Sequence, residues 1–449
     1  MKKKADLLLL NFRVYTQDKN RTVLKNADIA VLNGRFAEIG KNLSEKWEAP
    51  DVTDGTGKAV FPGMHNMHVH IFQSVMKGLG ADRKLIDWLQ DGPMKYGPSL
   101  TPEVYAMAAE LACMESLKCG VTTIGDFNYL QQNDIFPHVS IETAERFGIR
   151  EIYMDVYHDT GEEMGIVPSF IHPAAECIRR TEKLVRQYNT DGHPLIRIWA
   201  GASVPWGTTE NLYREMTDFS ESTGIPYTMH ILETPEDNAY TEKHYGKPVV
   251  EALESMHVLT ERFLAVHCVN LKEDEMDVLA RHDVNAVYCP AANCYLGSGI
   301  APAAAMLRHG VNITMGTDGA ASNNSSDMIE SMKLGLFLQK AEMKDPTALS
   351  AQDMLDFVTV NAAKAEHDRE SGSVEEGKKA DFFIMNTGYA RSCPDYDTLA
   401  ALMYNASQEN IEATAVNGHI VYRDGNFACG LEEKSSVRRI QEAMEKIVM

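Results

Sequence analysis

The sequence predicts an α/β protein: a closed (β/α)8 barrel of the TIM type, with a small β-sandwich built from both chain ends. Three observations predict it. Strand-like and helix-like patterns alternate about eight times between residues 61 and 369, the count of a closed parallel barrel. Short antiparallel hairpin patterns lie near both termini. No Gly-x-Gly-x-x-Gly follows any strand pattern, which argues against an open doubly wound sheet.

The chain opens Met1-Lys2-Lys3-Lys4-Ala5-Asp6 before four leucines, Leu7 to Leu10. An export signal needs an apolar run of about 7–15 residues, so this reads as a first β-strand. Ile29 to Leu32, the turn Asn33-Gly34 and the alternating run Arg35 to Gly40 form a hairpin signal. The same signal returns late in the chain as Ala413 to Val416, Asn417-Gly418 and His419 to Tyr422, preceded by a strand from Phe382 to Met385. Short strands from distant segments are best buried against one another. Residues 1–60 and 370–430 are therefore expected to form one composite β-domain, residues 61–369 the barrel, and 431–449 a terminal helix.

Within the barrel segment, Thr101-Pro102-Glu103 opens a helix with an N-cap hydroxyl and a first-turn proline. Val104, Met107, Ala108, Leu111, Met114 and Leu117 then mark one helical face, and Gly120 closes it before the buried strand Val121 to Ile124. Further strand runs begin at Glu151, Ile196, Tyr227, Phe263 and Asn285, and the last spans Asn312 to Asp318.

Composition excludes several classes of function. The chain has 449 residues, 44% apolar and 24% charged, with a net charge of −21. Such a chain is globular rather than disordered or fibrous. Its negative surface repels phosphate backbones and anionic lipid, so neither nucleic acid nor membrane is an expected partner. No run of about 18 apolar residues spans a membrane. Eight scattered cysteines without a Cys-x-x-Cys pair read as reduced thiols in a cytoplasmic protein.

In parallel barrels the chemistry gathers at the C-terminal strand ends. There this sequence places His68-Val69-His70, whose i and i+2 side chains share a direction, then His230, His267 and Asp318. His68, His70, His230 and Asp318 are the expected ligands of one divalent metal ion, with Zn²⁺ the default and Fe²⁺ the alternative. The fourth strand, from Arg197 to Pro205, offers no lysine or acid to bridge a second ion. Glu233, three residues after His230, faces inward only if the chain turns after its strand, and Pro235 supports that turn. A bound metal lowers the pKa of its water to about 7. Asp318 then accepts the water proton, His267 holds the water and polarises the target, and Glu233 carries the proton to a ring nitrogen and to the leaving group.

These residues resemble the amidohydrolase superfamily. Pro62-Gly63-Met64-His65-Asn66-Met67-His68-Val69-His70 is similar to its first-strand motif, His230-Ile231-Leu232-Glu233-Thr234 to its fifth. Ala265-Val266-His267-Cys268-Val269 and the stretch from Gly316 to Asn324 resemble its sixth and eighth. Within it, the chain looks like the branch of N-heterocycle deaminases and dehalogenases: methylthioadenosine/adenosylhomocysteine deaminases and the atrazine chlorohydrolase/melamine deaminase group. The stretch from Asn293 to Pro302 is similar to the triazine enzymes, and Gly319 to Asn324 to the adenosine-type deaminases. The resemblance implies the same four metal ligands, with Glu233 and His267 as acid/base groups, and relatives that are often homo-oligomers. Where adenosine-type deaminases carry Pro-His-Ser after the fourth strand, this chain has Ala202-Ser203-Val204.

Gln73, Trp88, Ser203, Trp206 and Asn293 are the candidates for reading a heterocycle, by stacking and by hydrogen bonding. The expected activity is hydrolytic release of ammonia from an amino-substituted purine, pterin, pyrimidine or triazine. The alternative is release of chloride or an alkylamine from a triazine-like ring. Halide leaves without a proton, whereas ammonia needs one, so Glu233 favours deamination. A non-catalytic scaffold would have lost ligands that this chain retains.

Overall fold

A computed structural model describes residues 2–448. Met1 and Met449, the outermost residues of the two terminal segments, lie outside the described residues. Eight parallel strands form the barrel: Met64–Val69, Val121–Asn128, Arg150–Tyr157, Ile196–Ala202, Tyr227–Ile231, Phe263–His267, Asn285–Tyr288 and Asn312–Met315. They pair in sequence order. Nearly every residue in them is buried, because helices cover the outside and side chains fill the inside.

The eighth strand returns to the first through individual bonds rather than a ladder. Asp318 N–H donates to His68 O at 2.9 Å and Thr317 N–H to Asn66 Oδ1 at 3.0 Å, while Asn66 Nδ2 donates to Thr317 Oγ1 at 2.8 Å. Gly316 permits this approach, since a Cβ there would lie 2.7 Å from His68 Cβ and O. The eighth strand is shorter than the apolar run suggests. Its ladder stops at Met315 opposite Tyr288, where Pro290 opens the next helix, so Asp318 stands beyond the strand.

The first barrel helix, Pro102–Lys118, starts as its sequence dictates: Thr101 Oγ1 accepts the Val104 N–H at 3.3 Å. Glu433–Val448 forms the terminal helix, joined to it by Lys118 Nζ to Glu433 at 2.8 Å and by Arg439 to Glu110.

The extra domain is a mixed nine-stranded sheet drawn from both termini. Lys58–Pro62 pairs antiparallel with Phe382–Asn386, which joins the two segments. Both Asn-Gly hairpins form, with φ of +52° and +75° at Asn33-Gly34 and +47° and +73° at Asn417-Gly418. These are the left-handed pairs that a two-residue turn requires. Leu9, Phe12, Ile29, Phe36, Val60 and Phe382 fill the core of this sheet. Arg150, which begins the third barrel strand, donates from Nε to Asp381 Oδ2 of the sheet domain at 2.7 Å, and both side chains are buried. All eight cysteines are unpaired. Among the described residues, no helix is long and apolar enough to cross a membrane.

Candidate metal centre and active-site cavity

Four strand ends deliver the site. His68 sits in the first strand and His70 just past it; His230 is one residue from the end of the fifth, and His267 ends the sixth. The backbone turns sharply where it must aim these groups. Leu232, His267 and Asp318 have φ of +52°, +75° and +64°, conformations costly for residues with a side chain and concentrated at functional sites. Leu232 is the turn that brings Glu233 back inward, and Asp237 Oδ2 accepts the Glu233 N–H at 3.0 Å to hold it.

The donor atoms converge. His68 Nε2 lies 3.3 Å from Asp318 Oδ1 and 3.3 Å from His230 Nε2, and His70 Nε2 lies 3.2 Å from Asp318 Oδ1. Donors about 2.0–2.1 Å from a tetrahedral ion stand about 3.3–3.4 Å apart. The tautomers also fit. His70 Nδ1 meets Phe127 O at 2.6 Å and His230 Nδ1 meets Ser203 O at 2.9 Å. Each Nδ1 therefore carries the proton, and each Nε2 lone pair points at the centre. Burial holds His68 down to about 3 and His230 well below the usual imidazole range, so both are neutral. Burial opposes ionisation of the Asp318 carboxyl, but the adjoining His68 and His70 rings outweigh it and hold the group well below the usual carboxylate range. Converging lone pairs beside a carboxylate suit a cation. His267 also reaches the cluster, its ligand atom lying within 4.8 Å of those of His68 and His230.

Glu233 Oε2 lies 3.5 Å from His267 Nε2, and Ser298 Oγ is 3.4 Å from Glu233 Oε1. Burial, reinforced by the charge of Asp318, pushes the Glu233 carboxyl up to about 8. Asn293 Oδ1 meets His267 Nδ1 at 3.0 Å and fixes that ring.

A cavity of about 40 Å³ opens above this floor, walled by Leu85, Trp88, Leu89, Met94, Trp206 and Leu296. The larger groove of about 660 Å³ lies at the other end of the barrel, beside Arg150 and Arg197, away from the histidines.

Residues 59–421 match the amidohydrolase family. The chain belongs to that family. Among amidohydrolase-like relatives, the 5'-deoxyadenosine deaminase of Methanothermobacter thermautotrophicus is 31% identical over 411 residues, which cover 92% of each chain. An adenosine deaminase from Xanthomonas campestris with bound zinc superposes with a TM-score of 0.92 at 25% identity, over 100% of this chain and 99% of that one. The atrazine chlorohydrolase of Arthrobacter aurescens TC1, complexed with zinc, gives 0.89 at 22% identity over 99% and 100%, a likeness of fold.

The structure brings His68, His70, His230, Glu233, His267 and Asp318 together, and it places Trp88, Ser203 and Trp206 on the cavity wall. It does not bring Gln73 or Asn293 to that wall. Gln73 is fully buried and donates from Nε2 to Tyr129 OH at 2.9 Å, so Tyr129 presents the surface instead. Asn293 turns its Oδ1 to His267 Nδ1 and lies off the cavity lining. Sequence reasoning missed Tyr129, His158, Ser298 and Leu296. Ser298 and Leu296 stand in the Asn293–Pro302 stretch already singled out, and His158 follows a strand run by two residues, the same position that exposed the other histidines.

Proposed function

We propose that this amidohydrolase is a metal-dependent aminohydrolase of an amino-substituted nitrogen heterocycle of the purine, pterin, pyrimidine or triazine type. His68, His70, His230 and Asp318 are the ligands in this reading, and Zn²⁺ is the ion, as in the zinc-bound structural neighbours. A divalent ion there supplies Lewis-acid activation of water at neutral pH. The protein's own groups do the rest. Asp318 accepts the proton of the attacking water. His267, oriented by Asn293, holds the water and polarises the ring carbon. Glu233 gives its proton to the adjacent ring nitrogen, then takes the second water proton from the added hydroxyl and passes it to the amino group; the proton left on Asp318 restores Glu233 after the products leave. The new C–O bond forms, the C–N bond breaks and ammonia leaves.

The observation that carries this reading is a buried, proton-bearing Glu233 beside His267 and the donor cluster. Chloride departs without protonation, so a carboxyl tuned to hold a proton at neutral pH serves an amine leaving group. Reduced thiols fit a cytoplasmic setting, and a homo-oligomer follows from the family resemblance; light scattering measures the latter. The test of function is ammonia release by zinc-reconstituted protein across a panel of amino- and chloro-substituted purines, pterins, pyrimidines and triazines. Ammonia with the matching oxo product is expected. Strict chloride release would overturn the proposal.

A further inference from the structure

The third barrel strand ends at Tyr157 and delivers one more polar side chain, which the steps above leave unused. His158 is 1% exposed and lines the cavity beside Tyr129, Ser203 and Trp206. Its Nδ1 is buried without a hydrogen-bond partner. The Cδ2 edge of the ring faces Gly207, where a Cβ would come within 2.6 Å, so Nδ1 occupies the opposite edge. The backbone here is pinned: His172 N–H donates to His158 O at 3.0 Å and Asp159 N–H to Gly207 O at 3.1 Å. Tyr129 stands nearly perpendicular, the two ring centroids 6.0 Å apart. Its hydroxyl already accepts from Gln73, which leaves its own proton free to donate.

A buried polar atom without a partner destabilises the fold, and a ligand that supplies the partner recovers that loss. Burial, with His172 adding, pushes the His158 imidazole down to about 3, so it is neutral throughout the working pH range. The rest of the wall is chiefly apolar, and among the described residues no Lys or Arg lines the cavity. Building on the deaminase reading, we infer that His158 is a specificity-determining residue. Its imidazole hydrogen-bonds a planar nitrogen heterocycle, to which the Tyr129 hydroxyl also donates.

The experiment is calorimetric titration of the zinc-loaded protein with unsubstituted purine, pyrimidine and 1,3,5-triazine, none of which has an amino group to lose. Wild type is expected to bind at least one of these rings. His158→Phe should weaken the neutral ring about ten-fold with zinc content and melting temperature kept, and His158→Gln should restore most of the loss. Tyr129→Phe, which removes only a hydroxyl, should weaken the same ring several-fold. Undiminished binding by both His158→Phe and Tyr129→Phe, or no ring bound by wild type, would each overturn the inference. Neutral rings bound through His158 with no ammonia released from their amino derivatives would sink the deaminase reading and leave this assignment standing.

Discussion

A carboxyl group in water is ionised at pH 7; Glu233 holds its proton there because burial and the nearby Asp318 charge both oppose ionisation. Its proposed role is proton transfer, not metal binding, and the two separate on substitution. Glu233→Gln should keep full zinc by elemental analysis while kcat for ammonia release falls about 10²–10⁴-fold; undiminished kcat would remove Glu233 from the mechanism. His230→Ala should do otherwise. Its Nε2 is a donor oriented by Ser203 O, so zinc content itself should fall well below one per chain, and full loading would strike it from the ligand set. At this scale the histidines were legible because strand patterns locate strand ends and strand ends locate chemistry. Gln73 and Asn293 lie off the cavity wall, which the sequence did not show, because position after a strand does not say whether a side chain faces a cavity or supports a neighbour that does.

Elements set the aim of these groups. The strands that carry the site stop early, and Leu232, His267 and Asp318 adopt left-handed conformations where the ladder releases them. A run of apolar residues marks a strand but not the residue at which its partner turns away, so the eighth strand was read three residues too long. Helix Met328–Met343 shows a second element-level trade. Asp327 caps it, accepting from Ile329 N at 2.8 Å, yet burial pushes this carboxyl up to about 6. With a folded pKa above the unfolded value near 4, the proton favours the fold. The contribution is complete below about pH 4 and is lost as pH rises through about 6. Asp327→Asn keeps a capping oxygen and cannot ionise. Its melting temperature should gain on wild type as pH goes from 5 to 8, by an amount corresponding to about 1.4 kcal/mol. A difference independent of pH would contradict the burial argument.

The whole molecule is held by contacts no local pattern announces. Arg150 of the barrel meets Asp381 of the terminal sheet, and Asp381 Oδ1 also accepts the Asn417 N–H at 2.6 Å. Asp381→Ala would leave a buried guanidinium without its counter-charge, and denaturant unfolding should show a loss of about 3–5 kcal/mol. A loss under about 1 kcal/mol would mean that water reaches the arginine and the pair is not a structural tie. By itself the sequence determined the alternation of strands and helices, both Asn-Gly hairpins, the helix caps and the residue types at strand ends, because each rests on neighbours a few positions apart. Only the tertiary structure decided which of those polar groups share one centre, that Tyr129 rather than Gln73 faces the cavity, and that His158 waits there unpaired. Those outcomes depend on distances between strands some tens to hundreds of residues apart, which barrel closure sets and no local pattern encodes.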